Sequence, residues 1–391
     1  MGLKLIFHSN SAWSASGYGV QARINVKRMQ KMPEVEQAVV SSYWGLHGGV
    51  IEYDGIVHLP QRGNDFGNND LQPHVYHTNS DVVIALMDSW ILRDDIGQLG
   101  FLFCCWAPVD HDPIPPQVVQ KLSNIYMPIA MSKHGYEQMI NAGLKNVRYV
   151  PHAVETKVYR PHSAKVNRET RKRLGIPEDA FLIGTVAANK GYPARKSWPQ
   201  MLEAVGRFIQ NHPNAYFYAH TLATTEHEGV DISGVGKVLG VGDRLILPNP
   251  YLYLQGFPDK EMSKIYSCFD VFLLPSMGEG FGVPQIEAQA CGVPVIVTDF
   301  AASSELIGAG QKVSVGYRWF TPLYSYQALP DIASIVQCLE NNYNLSRKER
   351  KEQGRQAREF SLQYDVDLIF DTYWKPIIQE LEMDTRRQII A

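Results

Sequence analysis

Short apolar runs alternate with amphipathic stretches along the whole chain. The runs at 3–7 (LKLIF), 82–86 (VVIAL) and 101–106 (FLFCCW) have the length of strands buried on both faces of a parallel sheet. Stretches between them, such as 20–32 and 134–143, are helical in pattern. A second series begins with FLIGTVA at Phe181 and continues to VPVIVTD, which ends at Asp299. This alternation predicts two α/β domains with mainly parallel sheets.

The composition changes between these two series. Residues 155–179 are polar and basic and include two prolines, which is typical of a linker. A chain of 391 residues also exceeds what one hydrophobic core usually serves. We therefore predict four segments, which are an N-terminal domain at 1–160, a linker at 161–179, a second domain at 180–360 and a C-terminal helix at 361–391.

Two segments of the second series have ambiguous patterns. YLYLQGF at 251–257 is interpreted as a strand of the series. SGVGKVLGVG at 233–242 is interpreted as a glycine-rich loop, because it does not link a strand to a helix as a dinucleotide-binding loop does.

Composition and charge narrow the class of protein. Hydrophobic residues make up 45% and charged residues 20%, as in ordinary soluble domains. A net charge of −3 argues against a polyanion-binding surface over the whole molecule. The five cysteines form no C-x-x-C pair, which indicates neither a disulfide framework nor a zinc site. The first apolar run is too short for a signal peptide, and no run reaches the ~18 residues of a membrane span, so we expect a cytoplasmic location.

The chemistry is concentrated in PSMGEGFGVPQIEAQACGVPVIVTD at 275–299. A buried strand ends at Pro275, glycines occupy 278, 280 and 282, and Pro284 stands where a helix begins. The amides of Gly280, Phe281, Gly282 and Val283 would then lie at a helix N-terminus, which favours an anion.

Two glutamates flank this anion site. Glu279 lies in the loop, and Glu287 is expected in the first turn of the helix. Carboxylates repel phosphate, so their natural partners are hydroxyl groups. One glutamate would hold a sugar ring and the other a ribose, and a nucleotide sugar presents both of these together with a diphosphate. The alternative is an ordinary strand, loop and helix with surface glutamates.

The same stretch resembles the signature of retaining glycosyltransferase family 4. The resemblance implies the GT-B fold, in which two Rossmann-like domains face each other across a cleft and the C-terminal helix returns to the first domain. It also implies that Glu279 contacts the transferred sugar and that Glu287 binds the donor ribose. Gly280, Phe281, Gly282 and Val283 would form the donor-binding loop.

The family also places an arginine and a lysine on the donor diphosphate. In ANKGYPARKSWPQML, from 188, Lys196 aligns with the lysine. The usual place of the arginine holds Ala187, Ala188 and Asn189, so Arg195 is the candidate substitute. Cations here would stabilise the leaving diphosphate, and the resemblance therefore implies catalysis without a metal ion or another cofactor. A solvated Arg-Lys pair at a helix start is the alternative.

Two further candidates lie in the first half. Gly17 and Gly19 follow the first strand, where the family's loop passes the donor phosphates; a simple tight turn is the alternative. His111, in WAPVDHDPIPP after another strand, matches a histidine that touches the transferred sugar in relatives. Loops at the carboxyl ends of parallel strands commonly bind ligands. The alternative for His111 is a hydrogen-bonded loop residue.

A cationic stripe is predicted on the first helix. Arg23, Lys27, Arg28 and Lys31 are interrupted by no acidic residue. A solvated helix face is one interpretation, and contact with a membrane surface or an anionic acceptor is the other.

The resemblance implies an enzyme that moves a sugar from a nucleotide-sugar, with UDP- and GDP-sugars as the expected donors, to an acceptor hydroxyl in glycan or glycolipid synthesis. The acceptor stays open, because residues 20–100 carry no recognisable signal. The alternatives are a glycosyltransferase that modifies hydroxymethylated bases in DNA, a sugar-nucleotide epimerase of the same fold, and a non-catalytic module that binds sugar nucleotides.

Overall fold

A computed structural model of the protein describes residues 2–63, 65–191, 193–224 and 228–390. Residues 388–390 are described by their backbone alone. The chain divides into two compact units. The first unit comprises Met1–Ala153, Leu323–Ser325 and Val366–Ala391. The second comprises Val154–Pro322 and Tyr326–Asp365.

The first unit is built on a mainly parallel sheet. Its strands are β1 Leu3–Asn10, β2 Val35–Trp44, β3 Ile51–Tyr53, β4 Ile56–Leu59, β5 Val82–Leu86, β6 Leu102–Ala107, β7 Met127–Ala130 and β8 Arg148–Tyr149. They are ordered β3-β4-β2-β1-β5-β6-β7-β8, and the described pairings of this sheet are parallel except for β3–β4, which is antiparallel. Its N-terminal helices are α1 Gly17–Met29, α2 Leu71–Thr78, α3 Pro116–Ser123 and α4 Lys133–Asn141.

The C-terminal segment packs within this first unit. α14 Val366–Ile369, a π-helical turn at Phe370–Trp374 and α15 Lys375–Ile390 follow one another. Trp374 is fully buried, with its ring centroid 6.4 Å from that of Phe7 and 4.9 Å from that of Trp106. Since large aromatic side chains contribute much of a core's burial, this contact fixes the segment to the sheet.

The second unit repeats the alternation. Its strands are β9 Phe181–Val186, β10 Ala215–His220, β11 Leu245–Ile246, β12 Val271–Leu274, β13 Val295–Thr298 and β14 Gly310–Val313. All are parallel, in the order β11-β10-β9-β12-β13-β14. Its helices are α5 Ala164–Arg173, α6 Trp198–Asn211, α7 Ile232–Val238, α8 Pro250–Gln255, α9 Asp259–Tyr266, α10 Val283–Ala290, α11 Ala301–Glu305, α12 Ile332–Tyr343 and α13 Arg347–Ser361. The prediction of two α/β domains with parallel sheets is confirmed.

An antiparallel hairpin follows the last strand of this sheet. It consists of β15 Val315–Phe320 and β16 Tyr326–Pro330, with Tyr317 opposite Leu329 and Trp319 opposite Gln327. All residues of β15 are exposed, whereas Ala328 on β16 is fully buried. The hairpin therefore rests on the unit through its second strand.

Several local predictions differ from the structure. Residues 233–242 are not all loop, because α7 runs from Ile232 to Val238. Asp231 caps this helix by accepting a hydrogen bond from the Gly234 amide. Residues 251–257, predicted as a strand, lie mostly in α8, where Asn249 caps the helix and Pro250 opens it. The predicted linker contains α5, capped by Ser163. Helix α1 begins at Gly17, earlier than predicted.

The five cysteines, at 104, 105, 268, 291 and 338, are all buried and unpaired. Burial raises the pKa of each thiol, to about 11 for Cys268 and to about 12 for Cys291.

None of the helices in the described ranges is both long and apolar enough to span a membrane.

Candidate active site

The loop between β12 and α10 carries the first candidate glutamate. Gly282 caps α10 with a φ of 104°, a left-handed backbone conformation that residues other than glycine rarely adopt. Pro284 lies in the first turn, where its missing N–H costs nothing. The loop thus leads into the N-terminus of α10, where the helix dipole favours an anion.

Glu279 meets both predicted cations in this loop. Lys196 donates through Nζ to Glu279 Oε1, and Arg195 Nη1 lies 3.2 Å from Glu279 Oε2. The Glu279 side chain is 6% exposed, against 15% for Lys196 and 39% for Arg195. The structure thus brings Glu279 into contact with two adjacent residues, Arg195 and Lys196, that lie 84 and 83 positions earlier in the sequence.

Backbone contacts hold the cationic segment against the loop. The Met277 amide donates to the Arg195 carbonyl at 2.8 Å. The Arg195 guanidinium also donates to the Gly278 carbonyl. Arg195 therefore has two roles, since it places positive charge beside Glu279 and fixes the loop that carries it.

The charge state of Glu279 follows from these contacts. Burial by itself raises the pKa of this carboxyl, but the charges of Lys196 and Arg195 outweigh it and bring the pKa to about 2. Glu279 is therefore ionised at neutral pH and accepts hydrogen bonds only. The three side chains together carry a net charge of about +1, because two cations face one carboxylate.

Glu287 lies in a different environment. It is the fifth residue of α10, in the second turn rather than the first, and it is half-buried. The Tyr266 hydroxyl donates to Glu287 Oε2 at 2.7 Å. Burial raises the pKa of Glu287 to about 7, although hydrogen bonds from Tyr266 and Tyr159 lower it.

Sequence reasoning missed the partners of Glu287. Tyr159, in the segment before α5, and Tyr266, at the end of α9, lie with ring centroids 6.0 Å apart. The Tyr159 hydroxyl also lies 3.4 Å from Asp259 Oδ1. Tyrosines at such positions have the pattern of ordinary core residues, so the sequence contained no signal for this cluster.

The other loop residues have structural roles as well. Phe281 is buried, and its ring centroid lies 5.6 Å from that of Tyr364. Its side chain anchors the loop, in which Gly280 and Gly282 are buried as well and Val283 is half-buried. Asn189, in the usual place of the family arginine, hydrogen-bonds to the carbonyls of Leu222, Thr224 and Val230.

Gly17 and Gly19 start α1 in the first unit. Ser16 caps the helix by accepting from the Gly19 amide at 3.1 Å. A Cβ at Gly19 would lie 2.6 Å from the Ser14 carbonyl oxygen, so close packing requires glycine there. At Gly17 a Cβ would meet no described atom within 4 Å. The packing explains Gly19 and leaves Gly17 unexplained.

His111 follows β6 in the first unit and is 5% exposed. Its Nδ1 lies 2.7 Å from Asp110 Oδ1, and its carbonyl accepts from His134 Nε2 at 2.9 Å. The Asp110 carboxylate therefore favours the tautomer with a proton on Nδ1 and orients the ring.

The predicted cationic stripe is partly neutralised. Lys27 pairs with Asp54, and Arg28 Nη2 lies 2.7 Å from Asp367 Oδ1. Arg23 is half-buried, while Lys31 is exposed and follows the end of α1. Carboxylates from distant segments thus supply the acids that the helix itself lacks.

Within the part of the chain that the structure describes, no three His, Cys, Asp or Glu side chains are grouped so that they could hold a metal ion.

Comparison with known proteins bears on the second unit most directly. Residues 200–322 match the model of the family described as "Glycosyl transferases group 1". This range contains Glu279 and Glu287 and begins four residues after Lys196.

Two curated relatives align with parts of the chain. The D-inositol 3-phosphate glycosyltransferase of Corynebacterium jeikeium is 28% identical over 153 residues, which are 39% of this chain and 35% of the relative. The lipopolysaccharide core biosynthesis mannosyltransferase LpsB of Rhizobium meliloti is 29% identical over 175 residues, which are 41% of this chain and 43% of the relative. The chain thus matches less than half the length of these relatives.

The fold is similar over nearly the whole chain. The crystal structure of Alr3699/HepE from Anabaena in complex with UDP-glucose superposes with a TM-score of 0.70 at 14% identity, covering 96% of this chain and 99% of that one. The protein therefore has the GT-B fold, with two Rossmann-like units.

Proposed function

We propose that the protein is a glycosyltransferase that moves a sugar from a nucleotide-sugar to an acceptor hydroxyl with retention of the anomeric configuration. The observation that carries this proposal is the contact of Lys196 and Arg195 with Glu279 beside the N-terminus of α10. The match of residues 200–322 to the glycosyltransferase group 1 family supports it.

The charges of this cluster suit a donor diphosphate. Lys196, Arg195 and the start of α10 attract the phosphates, while the ionised Glu279 accepts hydrogen bonds from sugar hydroxyls. When a diphosphate binds, the two cations gain a second anionic partner, and the positive charge then stabilises the leaving group as the bond to the sugar breaks. We propose that Glu287, half-buried beside two tyrosines, accepts hydrogen bonds from the ribose hydroxyls.

The proposed step occurs on one face of the donor sugar. The bond between the anomeric carbon and the diphosphate oxygen breaks, and the acceptor oxygen bonds to the same carbon from the same side. The proton of the acceptor hydroxyl passes to an oxygen of the departing phosphate, so no protein nucleophile is needed. The roles proposed for His111, Gly17 and Gly19 as donor contacts rest on the family resemblance alone.

We propose UDP- or GDP-sugars as donors and glycan or glycolipid synthesis as the process. The Anabaena structure contains UDP-glucose, and the two relatives act on an inositol phosphate and in lipopolysaccharide synthesis, according to their names. These similarities support a nucleotide-sugar donor and leave the acceptor to experiment.

The test is a donor panel of UDP-glucose, UDP-N-acetylglucosamine, GDP-mannose and GDP-fucose, read by release of the nucleoside diphosphate. We expect one donor to be hydrolysed slowly without an acceptor and faster with one. Epimerisation of the donor without nucleotide release would contradict the proposal. So would absence of both binding and release across the panel.

Titration of the bare nucleoside diphosphate tests the ribose contact separately. At pH 8, above the pKa of about 7 of this carboxyl, Glu287→Ala should weaken binding of the nucleoside diphosphate by about 1.5–3 kcal/mol, because a hydrogen bond to a charged acceptor is lost. Glu169→Ala, at an exposed position of α5, is the matched control. Equal affinity of the Glu287 variant and the control would exclude the ribose assignment.

A further inference from the structure

The hairpin of β15 and β16 exposes a group of aromatic side chains. Tyr317 is 64% exposed, Trp319 37%, Phe320 54% and Tyr326 39%. Tyr317 and Trp319 are two residues apart on one strand, so their rings lie on the same face, which we call the aromatic hairpin surface. On the other face the ring centroids of Phe320 and Tyr326 are 5.1 Å apart.

The hairpin is bonded directly to the loop that carries Glu279. The Ala328 amide donates to the Met277 carbonyl at 2.8 Å, and the Met277 amide donates to the Arg195 carbonyl at 2.8 Å. The Cζ atom of Arg318 lies 5.8 Å from the ring centroid of Phe300, and this cation–π contact attaches β15 to the rest of the unit. The second strand of the hairpin is thus hydrogen-bonded directly to the loop that carries Glu279.

The composition of the hairpin indicates the chemistry of its ligand. Between Val315 and Pro330 the only charged side chain is Arg318. Anionic membranes attract clusters of lysine and arginine, which this surface lacks in its sequence. Tyrosine and tryptophan instead offer apolar ring faces together with an O–H or N–H group. These features match a pyranose ring, which presents a face of C–H groups bordered by hydroxyls.

We propose that the aromatic hairpin surface binds a neutral saccharide chain, which is the acceptor of the transferase. This inference rests on the proposed function and names its acceptor class. Tyr317 and Trp319 would stack on sugar rings, and the bond between Ala328 and Met277 would keep the bound chain at a fixed distance from the Glu279 loop.

The experiment measures saccharide binding separately from donor chemistry. The purified full chain is applied to an array of neutral and acidic oligosaccharides, and the best neutral probe is then titrated in solution. We expect Trp319→Ala and Tyr317→Ala each to weaken this binding about tenfold, the scale of one lost aromatic contact. Trp319→Phe should restore most of it, because the ring is kept. Tyr76→Ala, which removes a tyrosine 86% exposed on α2, is the matched control and should bind like the wild type.

Release of nucleoside diphosphate in the absence of acceptor separates this inference from the proposed function. The hairpin variants should release it at the wild-type rate. If donor release is intact but no neutral oligosaccharide binds, the hairpin inference is wrong and the transferase proposal stands. If saccharides bind as described but no nucleotide-sugar binds or reacts, the transferase proposal fails and the acceptor assignment fails with it.

Two other occupants are tested directly. Co-sedimentation with phosphatidylcholine vesicles containing one-fifth phosphatidylglycerol, abolished by Trp319→Ala, would overturn the saccharide assignment in favour of a membrane surface. A wild-type dimer that the same substitution converts to a monomer in sedimentation velocity would overturn it in favour of a second copy of the chain. We expect neither result.

Discussion

The Tyr266 hydroxyl lies 2.7 Å from a carboxylate oxygen of Glu287, so a neutral phenol faces this glutamate. Glu279, in the loop that precedes the helix of Glu287, faces Lys196 and Arg195 instead. Burial raises the pKa of Glu287 to about 7, whereas the two cations overcome burial at Glu279 and bring its pKa to about 2. Two glutamates eight positions apart thus differ in charge near neutral pH, which suits them to different hydroxyls of one ligand.

The raised pKa of Glu287 predicts a pH dependence of stability. The folded protein holds the proton more tightly than the unfolded chain, whose carboxyl has the ordinary value of 4.5. Protonation of Glu287 therefore contributes to the free energy of unfolding. The contribution is complete below pH 4.5 and is lost as the pH rises through about 7. Glu287→Gln removes the titrating group, so its melting temperature should fall less than that of the wild type between pH 5 and 8. Glu169→Gln should follow the wild type, and parallel curves for all three proteins would contradict the prediction.

Lys196 is expected to be the main electrostatic group of catalysis. Lys196→Ala should lower kcat by about 100-fold or more, the scale of losing one stabiliser of transition-state charge. Lys190→Ala removes an exposed lysine from the same loop and should leave kcat nearly unchanged. Initial rates at saturating donor decide the matter, and similar losses in both variants would show that the loop rather than the charge was damaged.

Arg195 is expected to have a smaller effect on the chemical step. Its side chain is more exposed than that of Lys196, so solvent screens its charge more strongly. Arg195→Ala should therefore lower kcat by less than Lys196→Ala, and because Arg195 also donates to the Gly278 carbonyl, it should lower the melting temperature as well. Arg195→Lys separates the two roles by keeping the charge. A larger kcat loss for Arg195→Ala than for Lys196→Ala would reverse the assignment of the two cations.

Glu279 should act on the sugar and not on the nucleotide. Glu279→Gln is expected to lower kcat about 10–1000-fold, a loss of roughly 1.4–4 kcal/mol, since only contacts that strengthen in the transition state raise the rate. The bare nucleoside diphosphate should bind at least as tightly as before, because the substitution removes a negative charge beside Lys196 and Arg195. Calorimetric titration with that product is the measurement. Weakened binding of the bare nucleotide, equal to that of the intact donor, would exclude Glu279 as a sugar contact.

Chelation tests the role given to the cations and to the N-terminus of α10. Activity should persist in excess EDTA, because these groups are proposed to balance the charge of the diphosphate. Loss of activity on chelation, restored by adding manganese or magnesium, would refute metal-independent catalysis.

The sequence predicted the architecture because its strands are short, apolar and regularly interrupted by helices. It failed where local composition conflicts with the structure formed. The alternating tyrosines and leucines of α8 have a strand-like pattern, although Asn249 and Pro250 are start signals of a helix. In α5 only Thr170 is buried, so no apolar stripe marked the helix, although Ser163 caps its start.

At the site, the sequence identified the charged groups and missed what surrounds them. Glu279, Glu287 and Lys196 lie in motifs with characteristic spacing, and the structure brings Glu279 and Lys196 together. Tyr266 and Tyr159 are conspicuous only once folding places them beside Glu287. The partners of the α1 cations, Asp54 and Asp367, are likewise tertiary, so the stripe looked less balanced in the sequence than it is.

The buried cysteines have a practical consequence for measuring motion in this protein. Thiol-reactive dyes modify the thiolate, and all five native thiols are shielded and hard to ionise. A single cysteine introduced at an exposed site, such as Tyr76 on α2, should therefore react selectively with a maleimide without removal of the native residues.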